Sequence, residues 1–491
     1  MIRRISILTF AFALSAFARE EYTRTFDKTV AMQAGERVFL EHRLGDIVVR
    51  THPQASTIVH AEIRVSAPDS GDAKTFADRI EILIEPSSSQ LSIRTRYPER
   101  PSSFLGLHNV SYFVRYDVTI PETAPLDVRN SFGGVSVTGL KADGDIITSH
   151  GELQFQDGRG TQRLQNSFSA IRVARNMGDI TVENSNGAVD AADVLGALSI
   201  RDRFANVTAA RVTKGLTITN SNGAVDVADS GGLGNIRNSF GNVTVRNFRG
   251  DLTVNNSNGK VEATQVQGSA ELNTTFGGVH FADIKRQLSV RANNSKIEGE
   301  RVGGPVVVQN SFGPVTISAI QGGIHVQSGN GAVSLADVHG AANVRTSFAL
   351  VQATDVAGTL EVENDNGAVR ASRARGALIK TSFAPVVLDG ISGPVQVENQ
   401  NGMVEATSVA QGACEPVSIR TSFSSIRVHL MPDASYRVTA RTSFGKIRTD
   451  FPLTVSGALS NDSLDGVIGG GRCEMKLTNN NGAIEILKSG S

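Results

Sequence analysis

Apolar and polar residues alternate in short runs along most of this chain. In Leu252-Thr253-Val254-Asn255-Asn256, the residues Leu252, Val254 and Asn256 share one face, and Thr253 and Asn255 share the other. After Asn258-Gly259 the alternation resumes with Val261 and Ala263, then Val266. A period of two predicts a half-buried strand, and Asn-Gly predicts a turn. The runs also recur. One phrase, Asn130-Ser131-Phe132-Gly133-Gly134-Val135, returns at Asn166–Ile171, Asn238–Val243 and Asn310–Val315. A second, Asn184-Ser185-Asn186-Gly187-Ala188-Val189, returns at Asn220–Val225, Asn256–Val261 and Asn364–Val369. The last apolar residue of each phrase falls at 135, 153, 171, 189 and onward to 369, every gap being 18. The rhythm then slips, with Val386 after 17, Val404 after 18, Ile426 after 22 and Ile447 after 21. Asn479-Asn480-Asn481-Gly482-Ala483-Ile484 closes the series.

Two or three short strands per unit cannot bury an apolar face alone, whereas stacked units join their Leu, Val and Ile residues into one core. The expected fold is therefore all-β: a single β-solenoid, taken as right-handed, of about 18 residues per coil. Three columns follow. An inward polar column runs through Asn184, Asn220, Asn238, Asn256, Thr274, Asn310, Ser328, Thr346 and Asn364, where stacked amides are expected to hydrogen-bond from coil to coil. A second column places Phe132, Phe168, Phe204, Phe240, Phe276, Phe312 and Phe348 at intervals of 36, with Asn186, Asn222, Asn258 and Asn330 midway. Here each ring is expected to cover the Asn-Gly corners above and below it. A 36-residue coil with Phe stacked on Phe is the alternative, disfavoured because both half-repeats share one apolar register. The third column faces outward, with Arg237, Arg345, Lys380, Arg420 and Arg441 against Glu183, Glu363 and Glu398.

The ends depart from the repeat. Arg3-Arg4, the apolar stretch Ile5 to Leu14 and Ala16-Phe17-Ala18 read as a secretory signal over residues 1–18. Residues 19–125 read as a β-rich N-terminal cap. It should hold a short helix over Asp72 to Arg79 and strands at Ile80–Glu85, Gln90–Arg96 and Tyr112–Ile120. The solenoid proper spans 126–448, and 449–491 forms an excursion and a closing coil. No later apolar run is long enough to cross a bilayer as a helix. The expected location is the periplasm, the cell surface or the medium.

Composition narrows the function. Lys+Arg and Asp+Glu both number 48, so no basic excess speaks for nucleic acid. Trp is absent and Tyr numbers 5, which weighs against sugar stacking if the Phe residues belong to the repeat. Cys414 and Cys473 both lie where the repeat is interrupted. They either bridge two excursions or stay apart as free thiols. A column of Asp193, Asp229, Asp283, Asp337 and Asp355 is the best candidate for metal or catalytic carboxylates, although corner formation accounts for it more simply. The nine histidines, His42, His52, His60, His108, His150, His280, His325, His339 and His429, lack metal-ligand spacing. No cofactor is expected.

The run Tyr116-Asp117-Val118-Thr119-Ile120-Pro121, then Leu126-Asp127-Val128 and Phe132-Gly133-Gly134-Val135, resembles the bacterial putative adhesin family of exported β-solenoid domains. Phe444-Gly445-Lys446-Ile447, Phe451-Pro452 and Asn481-Gly482-Ala483-Ile484 are similar to its C-terminal pattern. The resemblance implies a β-solenoid and offers no catalytic residue. The leading expectation is a non-enzymatic envelope module, an adhesin or surface-binding protein with a protein or glycan ligand. The alternative is a carbohydrate-active β-helix enzyme, a polysaccharide lyase or hydrolase. A third reading is an envelope-stress accessory protein acting through its N-terminal cap.

Overall fold

The computed structural model describes residues 19–98, 110–409, 414–455 and 460–489. The secretory signal read at 1–18 and His108 lie outside the described residues. Two compact units divide the chain, one up to Gly187 and one from Ala188.

In the first unit, parallel pairing begins at Arg37, inside the segment read as a cap. Arg37–Leu44 pairs with Leu126–Phe132, and Ile47–His52 pairs with Val135–Thr138, so these strands form the first coil. The next coil pairs Leu126 with Gly144 and Val135 with Leu153, each a step of 18. An open coil end exposes unpaired backbone, and the unit covers it with its own chain. Gln90–Arg96 pairs along Arg37–Leu44, and Ser111–Pro121 along Ile47–His52. Ser111–Pro121 continues into an antiparallel sheet with Ser56–Ala67, which in turn pairs with Glu20–Ala31. The helix runs Ser70–Asp78, started by the Asp69 carboxylate accepting the Asp72 N–H at 2.9 Å. It buries Ala73, Phe76 and Ala77.

In the second unit the register is explicit. Val207, Val225, Val243, Val261, Val279 and Ile297 pair in succession, each 18 residues on. A second buried column runs Leu252, Ala270, Leu288, Val306 and Ile324. Neighbouring coils therefore pair at 18 rather than 36. The slip after Val369 is real, since Val369 pairs with Val386, Val386 with Val404 and Val404 with Ile426. Beyond Ile426, sequence order and spatial order part. Ile426 pairs with Ile484 rather than with Ile447, and Ile447 pairs with the other edge of that strand. Met475 likewise lies between Val417 and Val438. The final strands are thus inserted between two earlier coils. Cys414 and Cys473, at the starts of two adjacent coils, are joined as a disulfide with their Cα atoms 5.2 Å apart.

Candidate functional site

Each coil of the second unit turns sharply after its inward polar residue, and the turn leaves carbonyls without strand partners. The inward asparagines answer that need. Asn256 Nδ2 donates to Gly241 O on the preceding coil at 3.0 Å and to Gly259 O on its own coil at 3.1 Å. Asn310 does the same with Ser295 O and Gly313 O at 2.8 and 3.0 Å, and Asn364 with Ala349 O and Gly367 O at 2.8 and 2.9 Å. Asn220, and in the first unit Asn184, also accept the N–H of the next residue, Ser221 or Ser185, on Oδ1. The expected amide-to-amide bonding is therefore corrected. The column reaches from coil to coil, but its partners are backbone carbonyls, because a primary amide has two N–H groups and finds one orphaned oxygen on its own corner and one on the corner before.

The phenylalanines also depart from expectation. The space at the corner glycines Gly223, Gly241 and Gly259 is taken by backbone of the preceding coil rather than by a ring. In the second unit Phe204, Phe240, Phe276, Phe312 and Phe348 are 61, 54, 52, 51 and 63% exposed, and Phe383 and Phe423 are exposed too. In the first unit Phe132 and Phe168 are exposed, with the His150 ring stacked between them at 4.6 and 4.5 Å. Rings that do fill glycine space are elsewhere, inside the core. A methyl on Gly299 would stand 2.1 Å from the Phe281 ring, and one on Gly234 would stand 2.6 Å from Phe248.

The exposed rings form a ridge with a fixed rhythm. Asn222 pairs with Phe240, Phe240 with Asn258, Asn258 with Phe276, Phe276 with Asn294, Asn294 with Phe312, and Phe312 with Asn330. Asn222 and Asn258 donate their Nδ2 to Arg203 O and Ser239 O, at 3.1 and 3.3 Å.

A groove of about 1490 Å³ follows the same corners from Thr219 to Asp365, with Phe312 and Asn330 of the ridge on its wall. Its outward side chains are polar. Arg237, Arg291 and Arg345 stand three coils apart, and between them come Asn255 and Asn273, then Gln309 and Gln327. Arg291 bonds Glu271 at 2.5 Å and Arg345 bonds Glu363 at 3.1 Å, so little net charge remains there. Asn273 donates to Asn255 Oδ1 at 2.9 Å. The groove was not foreseen in the sequence reading. The outward column of arginines was visible, but a concave surface depends on where the backbone bends.

The aspartate column sits at a different corner, in left-handed backbone. Asp193, Asp229, Asp283, Asp337 and Asp355 have φ between 51 and 59°. Their partners come chiefly from the next coil. Arg211 grips Asp193 at 2.5 and 3.0 Å, Arg301 grips Asp283 at 2.7 and 3.0 Å, and Arg373 grips Asp355 at 2.5 and 2.8 Å. Asn247 donates to Asp229 at 2.7 Å, and His339 lies 3.2 Å from Asp337. The arginine hydrogen bonds hold Asp283 and Asp355 below the usual carboxylate range. Asp283 and Asp355 are thereby held as anions, which does not suit a general acid. Among the described residues no three of His, Cys, Asp and Glu gather as a metal-holding group. The histidines are dispersed: His42 is buried, His52 bonds Ser56 O, His60 bonds Asp27, and His429 lies 3.3 Å from Glu405.

No family model and no curated protein matches the chain. Among solved structures, that of a putative cell adhesion protein from Clostridium sporogenes is similar at 8% identity over 95% of this chain and 100% of that chain, with a TM-score of 0.15. At that score the similarity carries no argument. The motif resemblance to the adhesin family accordingly reaches no further than the β-solenoid itself.

Proposed function

We propose that this chain is an exported, non-catalytic binding module of the cell envelope, an adhesin-type surface protein. One observation carries the reading: the polar groove of the second unit runs along successive coils beside exposed aromatic rings, and its functional groups are spread out rather than convergent. Catalysis needs an acid, a base or a metal brought to one point. Spread, repeated contacts instead favour multivalent attachment. The Asp corners support the same view, since each of Asp193, Asp283 and Asp355 is held by an arginine. The Cys414–Cys473 disulfide favours an oxidising compartment, and with it export. Among the described residues no helix is long and apolar enough to cross a membrane.

Fractionation of producing cells, followed by sedimentation of the purified full chain with isolated envelopes, tests this. Saturable association with envelopes and a cell-surface or periplasmic pool are expected. Release of new reducing ends or unsaturated sugars from any polysaccharide would overturn the non-catalytic reading and favour the lyase or hydrolase alternative. Confinement to the cytoplasm would overturn export.

A further inference from the structure

The ridge of the second unit alternates an aromatic face with an amide at every coil, and its true repeat is two coils. At ~4.8 Å per coil that repeat is about 9.6 Å. Two sugar rings of a fully extended β-1,4-linked chain come close to this length, so sugars and side chains stay in step over a few rings. Such a chain is a two-fold ribbon in which each ring is flipped relative to the last. On such a ribbon every second sugar is equivalent, so a surface with a two-coil repeat can place an aromatic ring under every second sugar and a hydrogen-bonding group under the sugar between. Phe240, Asn258, Phe276, Asn294 and Phe312 do so in order. Asn258 spends its Nδ2 on Ser239 O, which leaves its Oδ1 to accept a hydroxyl.

The groove alongside supplies the ribbon's edge contacts. Amides of Asn255, Gln309 and Gln327 and the guanidinium of Arg237 line it, while Asn273 holds Asn255 in place. Because Arg291 and Arg345 are already paired with Glu271 and Glu363, the surface suits an uncharged polymer better than a uronate. From Phe204 to Phe348 the chain advances (348 − 204)/18 = 8 coils, or about 38 Å.

We propose that this ridge and groove bind one extended, uncharged β-1,4-linked polysaccharide chain lying along the stacking direction; the proposal rests on the envelope-binding reading and names its ligand class. Chains that curl, such as α-1,4- or β-1,3-linked glucans, cannot follow a straight row of rings. Each ring-to-ring contact is weak, and affinity comes from repetition.

The test uses the full chain with cellulose and chitin, against amylose and a β-1,3-glucan, and with soluble β-1,4-linked tetramers and octamers. Retention on cellulose or chitin only is expected, and the two arms tell whether N-acetyl groups are accepted. The octamer should bind more tightly than the tetramer. The combined Phe240→Ala, Phe276→Ala and Phe312→Ala variant should lose at least tenfold in affinity with unchanged circular dichroism, since all three rings are already half in solvent. Leu233→Ala, exposed but off the ridge, should bind as the parent does. Wild-type affinity in the triple variant, or preference for amylose, overturns the proposal. Retention on no polymer, with envelope sedimentation intact, overturns the ligand class and leaves the envelope reading standing. Loss of both overturns both.

Discussion

At the scale of single residues, Asp202 is the instructive exception. It occupies the inward position that Asn220 holds one coil on. A carboxylate cannot donate to a corner carbonyl as that amide does. Asp202 Oδ2 accepts the Ala205 N–H at 3.0 Å, while its buried Oδ1 has no partner. Burial pushes its pKa up. With the folded-state pKa above the unfolded one, its contribution is most favourable in acid and declines as pH rises through the folded value. Asp202→Asn should therefore stabilise the protein at pH 7 by about 1–2 kcal/mol. The gap in urea midpoints should close as pH falls towards the ordinary aspartate range, and a pH-independent gap would count against this account. The residue scale is also where sequence reading failed. Alternation correctly placed Asn238 inward and Arg237 outward. It has no authority at Phe240, because the backbone leaves its strand there and the alternation ends with it.

At the scale of elements, the corners matter most, and two of them can be interrogated. The left-handed corner recurs every 18 residues from Asp193 through Arg211, Asp229 and Asn247 to Arg373. Most side chains are strained in that conformation, and Asp and Asn least so. The period locates the corner, and the Asp-rich column reads as a corner held by backbone hydrogen bonds; the structure places a corner there but gives the aspartates side-chain partners on the next coil. Ala319, with φ 55°, has no polar side chain to compensate. Ala319→Gly should raise stability by about 1 kcal/mol. Ala336→Gly, on the strand Val333–Val338, should lower it by about 0.5–1 kcal/mol. Thermal melts of the pair check the sign reversal, and two losses would refute the assigned strain. In the first unit, the strand Arg37–Leu44 carries a buried imidazole. His42 bonds Val114 O at 2.9 Å and Thr95 Oγ1 at 3.0 Å, with the Tyr116 ring edge-on at 5.0 Å. Burial lowers its pKa to about 4. The unfolded chain then protonates first, so stability is full above the ordinary histidine value near 6.5 and falls as pH drops to about 4. The loss amounts to roughly 3 kcal/mol. His42→Gln should flatten the stability profile between those limits, and an unchanged acid slope would exclude His42 as its source.

At the scale of the molecule, the coil period was legible because every coil repeats the same inward Leu, Val and Ile columns, and stacking in register is the one arrangement that buries them all. The order of the last coils was not legible. A period states which residues are equivalent, and Ile447 and Ile484 are equally good neighbours for Ile426 on that criterion alone. The structure chooses Ile484, which means that the end of the chain must enter between coils made earlier in the sequence. Insertion of this kind closes a long loop, and loop closure opposes folding through chain entropy. The Cys414–Cys473 bond, across 59 residues, removes much of that cost from the unfolded state, worth about 4 kcal/mol in the chain-entropy model. Its effect should be confined to the inserted strands. In Cys414→Ser with Cys473→Ser, amide exchange across Cys473–Asn479 and Ile484–Lys488 should accelerate by two to three orders of magnitude. Exchange across the coils from Val243 to Val351 should hold its rate, since in stacked repeats each unit depends chiefly on its neighbours. Equal acceleration in both regions would mean that the second unit unfolds as one body and that the disulfide guards the whole stack. No acceleration in either would mean that strand pairing with Val417–Arg420 and Tyr436–Thr442 already holds the insertion without a covalent tie.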